Sequence, residues 1–250
     1  MKKSLIKHGL LLLGGMAFLI AVWITAYFCV GNKLLVPSFL ETFAALGKTL
    51  VNGVFWLGFF HTLLRVIIAF IISFLIGTLA AVLSYLYPCF RAFVRPMFAL
   101  FRSMPVLAVL LIILVWTNST VAPVIVAFLS LCPILYTATL TALDGVDGEL
   151  LEMSKVYQVP LPKQITKLYI PTITPSLIKE SGAALGFAVK LIVSAEVLAR
   201  TANSLGVMMQ DTQPWQLPYL FALVIVACLL GFVLETTCDM FARRMQGGAK

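Results

Sequence analysis

Six mostly apolar stretches run along the chain, at 9–30, 61–87, 96–116, 121–143, 174–198 and 217–243. Each has about the 20 residues a helix needs to cross a bilayer. A single segment crosses only as a helix, because lipid leaves open backbone groups no partner. The pattern predicts an all-α polytopic membrane protein with six transmembrane helices. Two stretches depart from plain hydrophobicity. In the third, uninterrupted apolar sequence covers little more than residues 104–116, and Pro105 is placed to bend it. The fifth carries Lys179, Glu180, Lys190 and Glu196. Both are expected to be buried in protein rather than facing lipid.

Two polar segments have patterns of their own. In 31–60, Pro37, Ser38, Glu41, Phe43, Leu46, Leu50 and Val54 predict a short amphipathic helix capped by Ser38. In 144–171, Asp147 is a good N-cap, and Glu149 and Glu152 suit the positive start of a helix. Leu150, Met153 and Tyr157 form an apolar stripe, with Glu149, Glu152 and Lys155 on the other side. Pro160 disfavours helix at Val159. Pro162 can open a second short helix through Tyr169, which Ile170-Pro171 ends. The segment reads as a compact helix–turn–helix at the membrane surface. It is either an amphipathic connector lying on headgroups or a docking element for another protein.

Composition fits this picture. Of 250 residues, 61% are hydrophobic and 11% charged, against about 45–50% and 25% in soluble domains. Soluble-enzyme and nucleic-acid readings fall away. The formal charge of +8 follows from basic residues in inner loops. With the N-terminus inside, the inner segments hold Lys2, Lys3, Lys7, Arg91, Arg95, Arg102, Lys155, Lys163, Lys167, Arg243, Arg244 and Lys250. The outer segments hold Lys33, Lys48 and Arg200, and Arg65, Lys179 and Lys190 lie within spans. Both termini are therefore expected in the cytoplasm. The basic start, Met1 to His8, resembles a signal peptide, but the apolar run after it is longer than the usual 7–15 residues, so an uncleaved first span is expected. Five scattered cysteines and two distant histidines indicate no metal site.

Charges inside spans are costly and call for a role. Gly182, Gly186, Lys190 and Ser194 recur at every fourth position of the fifth span. A lysine on such a stripe should face protein or water, either lining a pathway for anionic or electron-rich solutes or bracing helices. Arg65 and Glu196 lie at similar depth near the outer side, where they can pair, tying helices together, or Arg65 can snorkel to the interface. Phe59, Phe60, Phe70 and Phe74 read as packing and lipid contact.

The inner loop resembles the signature loop of permease subunits of ATP-binding-cassette (ABC) importers. Glu152-Met153-Ser154 takes the place of Glu-Ala-Ala, Gln158 stands where that pattern has Gly, and Ile170-Pro171 replaces its Leu-Pro. Val36-Pro37-Ser38, Thr62-Leu63-Leu64-Arg65, Arg102-Ser103-Met104-Pro105 and Ala195-Glu196-Val197-Leu198 followed by Leu205-Gly206 extend the likeness to the binding-protein-dependent type, in the nitrate/sulfonate/taurine/thiamine-precursor branch. The resemblance implies the type I ABC importer permease fold, with an accessory part, 1–60, and a core, 61–243. It implies two permease copies as a homodimer, cytoplasmic ABC ATPase subunits that bind ATP and Mg, and an extracytoplasmic binding protein. The solute would be small, anionic or heterocyclic, and the location a bacterial cytoplasmic membrane. Glu149, Glu152, Met153, Ser154, Tyr157, Gln158, Pro160 and Pro171 would couple to the ATPase. Lys190, Ser194, Glu196 and Arg65 would belong to the solute pathway. No catalytic residue or cofactor is expected in this chain, which lacks a Gly-x-x-x-x-Gly-Lys-Ser/Thr loop. The rivals are a solute-capturing subunit of an energy-coupling-factor system, a stand-alone secondary transporter or channel, and a membrane enzyme. A secondary transporter calls for inverted halves and a broken helix at the midplane, neither of which the sequence displays. An enzyme needs a clustered catalytic set, which is also missing from it.

Overall fold

A computed structural model describes residues 2–32 and 35–247. Lys33 and Lys250, both used in the orientation argument, lie outside the described residues, as do the side chains of Lys2, Lys3 and Lys7. The chain folds as α1 (Lys2–Val30), α2 (Phe39–Val51), α3 (Gly53–Leu86), α4 (Pro88–Ser103), α5 (Val106–Trp116), α6 (Ala122–Asp144), α7 (Gly148–Val156), α8 (Leu161–Gln164), a π-turn (Ile165–Tyr169), α9 (Ile170–Ala199), α10 (Leu205–Gln210) and α11 (Leu217–Gly247). Among the described residues, four helices are long and apolar enough to cross a membrane alone: Gly53–Leu86, Ala122–Asp144, Leu161–Ala199 and Leu217–Met245. A bent pair, α4 and α5, makes a fifth if counted as one span. The described apolar part of α1, Ala17–Val30, is shorter.

The third predicted span is therefore not a straight crossing. Its helix starts at Pro88 rather than 96, and α4 and α5 meet at 99°. The cause is Pro105, whose ring pushes Met104 out of the helical region, to φ −67° and ψ 128°. Neighbouring contacts give the place of the break. Arg91 reaches Asp144 at the inner end of α6, Arg102 reaches Pro133 at its middle, and α5 packs on Ala122 and Val126 at its outer end. Helix α4 thus follows the half of α6 that ends at Asp144, and α5 packs on the half that starts at Ala122. A broken helix, which the sequence did not display, is present.

The second span also starts early. Asn52 caps α3 by accepting a hydrogen bond from the Val54 amide, so Val54 belongs to α3, not to the outer helix. That outer helix, α2, is as expected capped by Ser38, with Glu41 completing a reciprocal capping box. Helix α1 docks on α2 and α11 through Trp23. Its indole donates to the Pro37 carbonyl at 3.1 Å, and its ring meets Phe39 edge-on and Phe221 at a tilt.

Between α8 and α9 the expected stop at Ile170-Pro171 does not occur. Proline has no amide hydrogen for the carbonyl one turn back. The wider five-residue turn at Ile165–Tyr169 lets the helix pass into α9 without ending. The result is one helix, Leu161–Ala199. The core packs α3, α6 and α9 through Val66, Ala69, Ala127, Leu131, Ala188 and Ile192, while Leu64, Ile68, Ile71 and Leu75 on α3 face outward.

Candidate functional site

The inner loop is built by local rules. The Asp147 carboxylate accepts from the Glu149 amide at 2.9 Å, and α7 runs from Gly148 to Val156. It ends in a Schellman turn: the Val159 amide donates to the Ser154 carbonyl at 2.9 Å and the Gln158 amide to that of Lys155 at 3.0 Å. Such a turn needs a left-handed residue, and Gln158 supplies it with φ +50°. This is the position where the resembled pattern has glycine, so the turn is kept and the glutamine carries the strain. Gln158→Gly should raise stability by about 1 kcal/mol, read as a higher midpoint in thermal unfolding; an unchanged or lower midpoint would contradict it. Pro160 starts the return, and the Gln164 side chain donates to the Val159 carbonyl at 2.7 Å, closing the turn.

No residue from 147 to 170 is buried. Glu149, Glu152, Met153, Tyr157, Gln158 and Pro160 are all exposed, Ser154 is half-buried, and Pro171 is exposed at the start of α9. Val156 and Tyr157 are 79% and 75% exposed. Leu150, Met153 and Tyr157 edge a shallow groove against Val159, Gln164 and Leu168, and Val156 is left largely uncovered.

Arg65 and Glu196 form an ion pair at 2.8 Å, with Glu196 fully buried. The second carboxylate oxygen accepts from the Thr62 hydroxyl at 2.9 Å and the Gly206 amide at 3.3 Å. Thr62 in turn accepts from the Leu205 amide at 3.0 Å, and Arg65 donates to the Ala202 carbonyl at 3.4 Å. The cluster fastens α3, α9 and the start of α10 together. Gly206 makes this possible, since a Cβ there would lie 2.4 Å from the Glu196 Cβ. Of the roles open to Arg65 and Glu196, the geometry is that of a tie between helices.

Lys190 and Ser194 are exposed and line a groove of about 580 Å³ between α9 and α11, which Glu235 also lines. Of the stripe they belong to, Gly186 lines the same groove but, like Gly182, also packs on α11, where added Cβ atoms would lie 2.7 Å from Cys238 (at Gly182) and 2.9 Å from the Glu235 carboxylate (at Gly186). Sequence reasoning missed a second polar cavity of about 570 Å³, lined by Arg102, Thr137, Thr141, Thr172, Ser176 and Glu180. Its threonines and serine sit unremarkably in apolar helices. The signal was the spacing of Thr172, Ser176 and Glu180 at every fourth position. Arg102 anchors the cavity by donating to Thr137 and to the Pro133 carbonyl.

The family described as "Binding-protein-dependent transport system inner membrane component" matches residues 73–247. The chain belongs to that family. This permease is 22% identical over 232 residues to the putative aliphatic sulfonates transport permease protein SsuC of Bacillus subtilis, covering 92% of this chain and 84% of that one. It is 25% identical over 198 residues to a probable ABC transporter permease protein of Brucella melitensis, covering 78% of this chain and 80% of the relative. Its fold is that of solved ABC importers. An inward-facing MetNI methionine ABC transporter superposes with a TM-score of 0.62 at 19% identity, over 76% of this chain and 96% of that one. An amino acid ABC transporter crystallised with histidines gives 0.65 at 17% identity, over 76% and 94%. The permease is a multi-pass inner-membrane subunit of an ABC importer, with the type I permease fold.

Proposed function

We propose that two copies of this permease form the pathway of an importer and that α7 docks on a cytoplasmic ATPase subunit. ATP and Mg belong to that ATPase. Hydrolysis there drives uptake of a small solute handed over by an extracytoplasmic binding protein. One observation carries the reading: α7 is short, capped at both ends, and it and its C-cap leave Met153, Val156 and Tyr157 exposed beside the charged Glu152 and Lys155. The alternative, an amphipathic connector lying on headgroups, would expose the same residues; membership of the binding-protein-dependent family, whose match spans this loop, favours docking. The coupling set is Glu149, Glu152, Met153, Ser154, Tyr157, Gln158, Pro160 and Pro171. Residues 61–243 act as the core and residues 1–60 as an accessory part, consistent with the Trp23 contacts that hold α1 at the edge.

The solute is a small anion. Lys190, a cation in the middle of α9 with no ion pair within 4 Å among the described residues, supports this, as does the sulfonate transport named for the Bacillus relative.

The test uses the permease purified with its ATPase and reconstituted in proteoliposomes. Glu152→Lys and Tyr157→Ala should leave basal hydrolysis and thermal unfolding unchanged. Uptake should fall at least about tenfold, the equivalent of 1.4 kcal/mol of coupling. Normal uptake in both would sink the docking role. In the same vesicles Lys190→Gln should alter uptake of alkanesulfonates; unchanged uptake and solute preference would remove Lys190 from the pathway.

A further inference from the structure

We propose that Arg91, Arg95 and Arg102 form a ladder that guides a solute oxyanion through the inner half of the bundle, with Arg95 as the exchangeable rung. This rests on the permease forming the solute pathway. At about 100° per residue the three arginines fall within an arc of roughly 40° on α4. They line one cavity of about 410 Å³ together with Phe98, Ala99 and Tyr136. On the opposite side of the same helix Phe93, Met97 and Leu100 are 68%, 43% and 60% exposed. A helix in a bilayer turns its apolar stripe to lipid, so the arginine stripe turns toward protein and water.

The partners of the three guanidinium groups differ. Arg91 is held by Asp144 through two contacts, at 2.8 and 3.3 Å. Arg102 is held by neutral groups, Thr137 and the Pro133 carbonyl. Glu180 lines the adjoining cavity with Arg102 but makes no ion pair within 4 Å with it. Arg95 has neither an ion pair nor a side-chain hydrogen bond to any described residue. Even with Glu180 counted beside Asp144, two carboxylates against three guanidinium groups leave an excess of positive charge, with the central group free to bind. From Arg91 to Arg102 the ladder climbs about 16 Å, from the inner end of α6 to its middle. Guanidinium is planar and offers paired donors that fit carboxylate, sulfonate or phosphate oxygens. Two anchored arginines flanking a free one would pass such an oxyanion along in steps.

The experiment measures local charge selectivity and needs no knowledge of the natural solute. The intact complex is placed in nanodiscs, with the five native cysteines replaced by alanine. A single thiol is introduced by Ala99→Cys, on the cavity side between Arg95 and Arg102. Its reaction rates with sulfonatoethyl and trimethylammonioethyl methanethiosulfonate are each normalised to those of a free thiol. The sulfonate reagent should be favoured about tenfold, as expected for two nearby unpaired cations in partly screened surroundings. Adding Arg95→Gln should take the ratio most of the way to one, whereas Arg95→Lys should keep it. Met97→Cys, on the lipid side, should react slowly with both reagents. A ratio of one or less at position 99, a ratio indifferent to Arg95→Gln, or a thiol at 99 inert to both reagents would overturn the ladder. Whether the complex holds an ATPase stimulated by solute is read separately, so failure of the ladder is distinguishable from failure of the importer reading.

Discussion

Glu196→Ala should cost the permease about 3–5 kcal/mol of stability, the usual loss when one partner of a buried ion pair is removed. The carboxylate is fully buried and serves three donors: the Arg65 guanidinium, the Thr62 hydroxyl and the Gly206 amide. Truncation leaves the hydroxyl and the amide without an acceptor, and the charged guanidinium with only the Ala202 carbonyl, at a site where water has little access. The pair itself contributes far less than that loss, because desolvating both ions offsets most of their attraction. The double variant Arg65→Met with Glu196→Leu should therefore recover most of what the single change removes. The measurement is the free energy of reversible unfolding in mixed micelles for the wild type, both single variants and the double. If Glu196→Ala costs less than about 1 kcal/mol, or if the double variant is worse than either single one, the pair is not the fastening described above.

Gly206→Ala should be nearly as damaging, by about 3 kcal/mol, the upper part of the range for overpacking. The added methyl would sit 2.4 Å from the Glu196 Cβ and 2.6 Å from the Val197 nitrogen. Neither atom is the far end of a flexible side chain, so nothing can rotate away. Helix α10 must lift off α9, which breaks the Gly206 bond to Glu196 and the Leu205 bond to Thr62. Limited proteolysis between Arg200 and Asp211 should speed up along with the loss of stability. An alanine variant that melts and resists protease like the wild type would show that the clash is relieved at little cost.

Much of this architecture could be read from hydrophobic periodicity, because helices in lipid obey one strong rule: every backbone group must be satisfied locally. Ser38, Asp147 and the stripe of Leu150, Met153 and Tyr157 were legible for the same reason, since caps and short amphipathic helices are decided within a few residues. The partnership of Arg65 and Glu196 was open from depth alone. Its fuller form was not, because Thr62 and Gly206 look like ordinary span residues until α10 folds back on them. What misled was proline. Pro105 could be seen to bend a span, but the size of the turn, 99°, is set by packing against helices distant in sequence and has no local signal. Pro171 reads as a stop, yet the π-turn before it absorbs the missing donor. The residues lining the cavity at Arg102 come from three helices, and a single sequence carries little trace of that convergence.

The helix Leu161–Ala199 has 39 residues, about 58 Å at 1.5 Å per residue. Near its outer end it is pinned to α3 through Glu196, and at its inner end it emerges into a loop with nothing buried. Tyr169 ties the start of this helix to Tyr85, and residues 181–199 pack against α3, α6 and α11, so a swing about Glu196 would have to bend the helix, with displacement growing with distance from Glu196. Lys190 lies six residues from Glu196, about 9 Å, and Ser176 lies twenty residues away, about 30 Å. A swing of the inner end would therefore move the wall of the Arg102 cavity roughly three times as far as the groove at Lys190. About such a pivot the cavity at Arg102 would be the part that widens and narrows, and the groove at Lys190 the part that moves least.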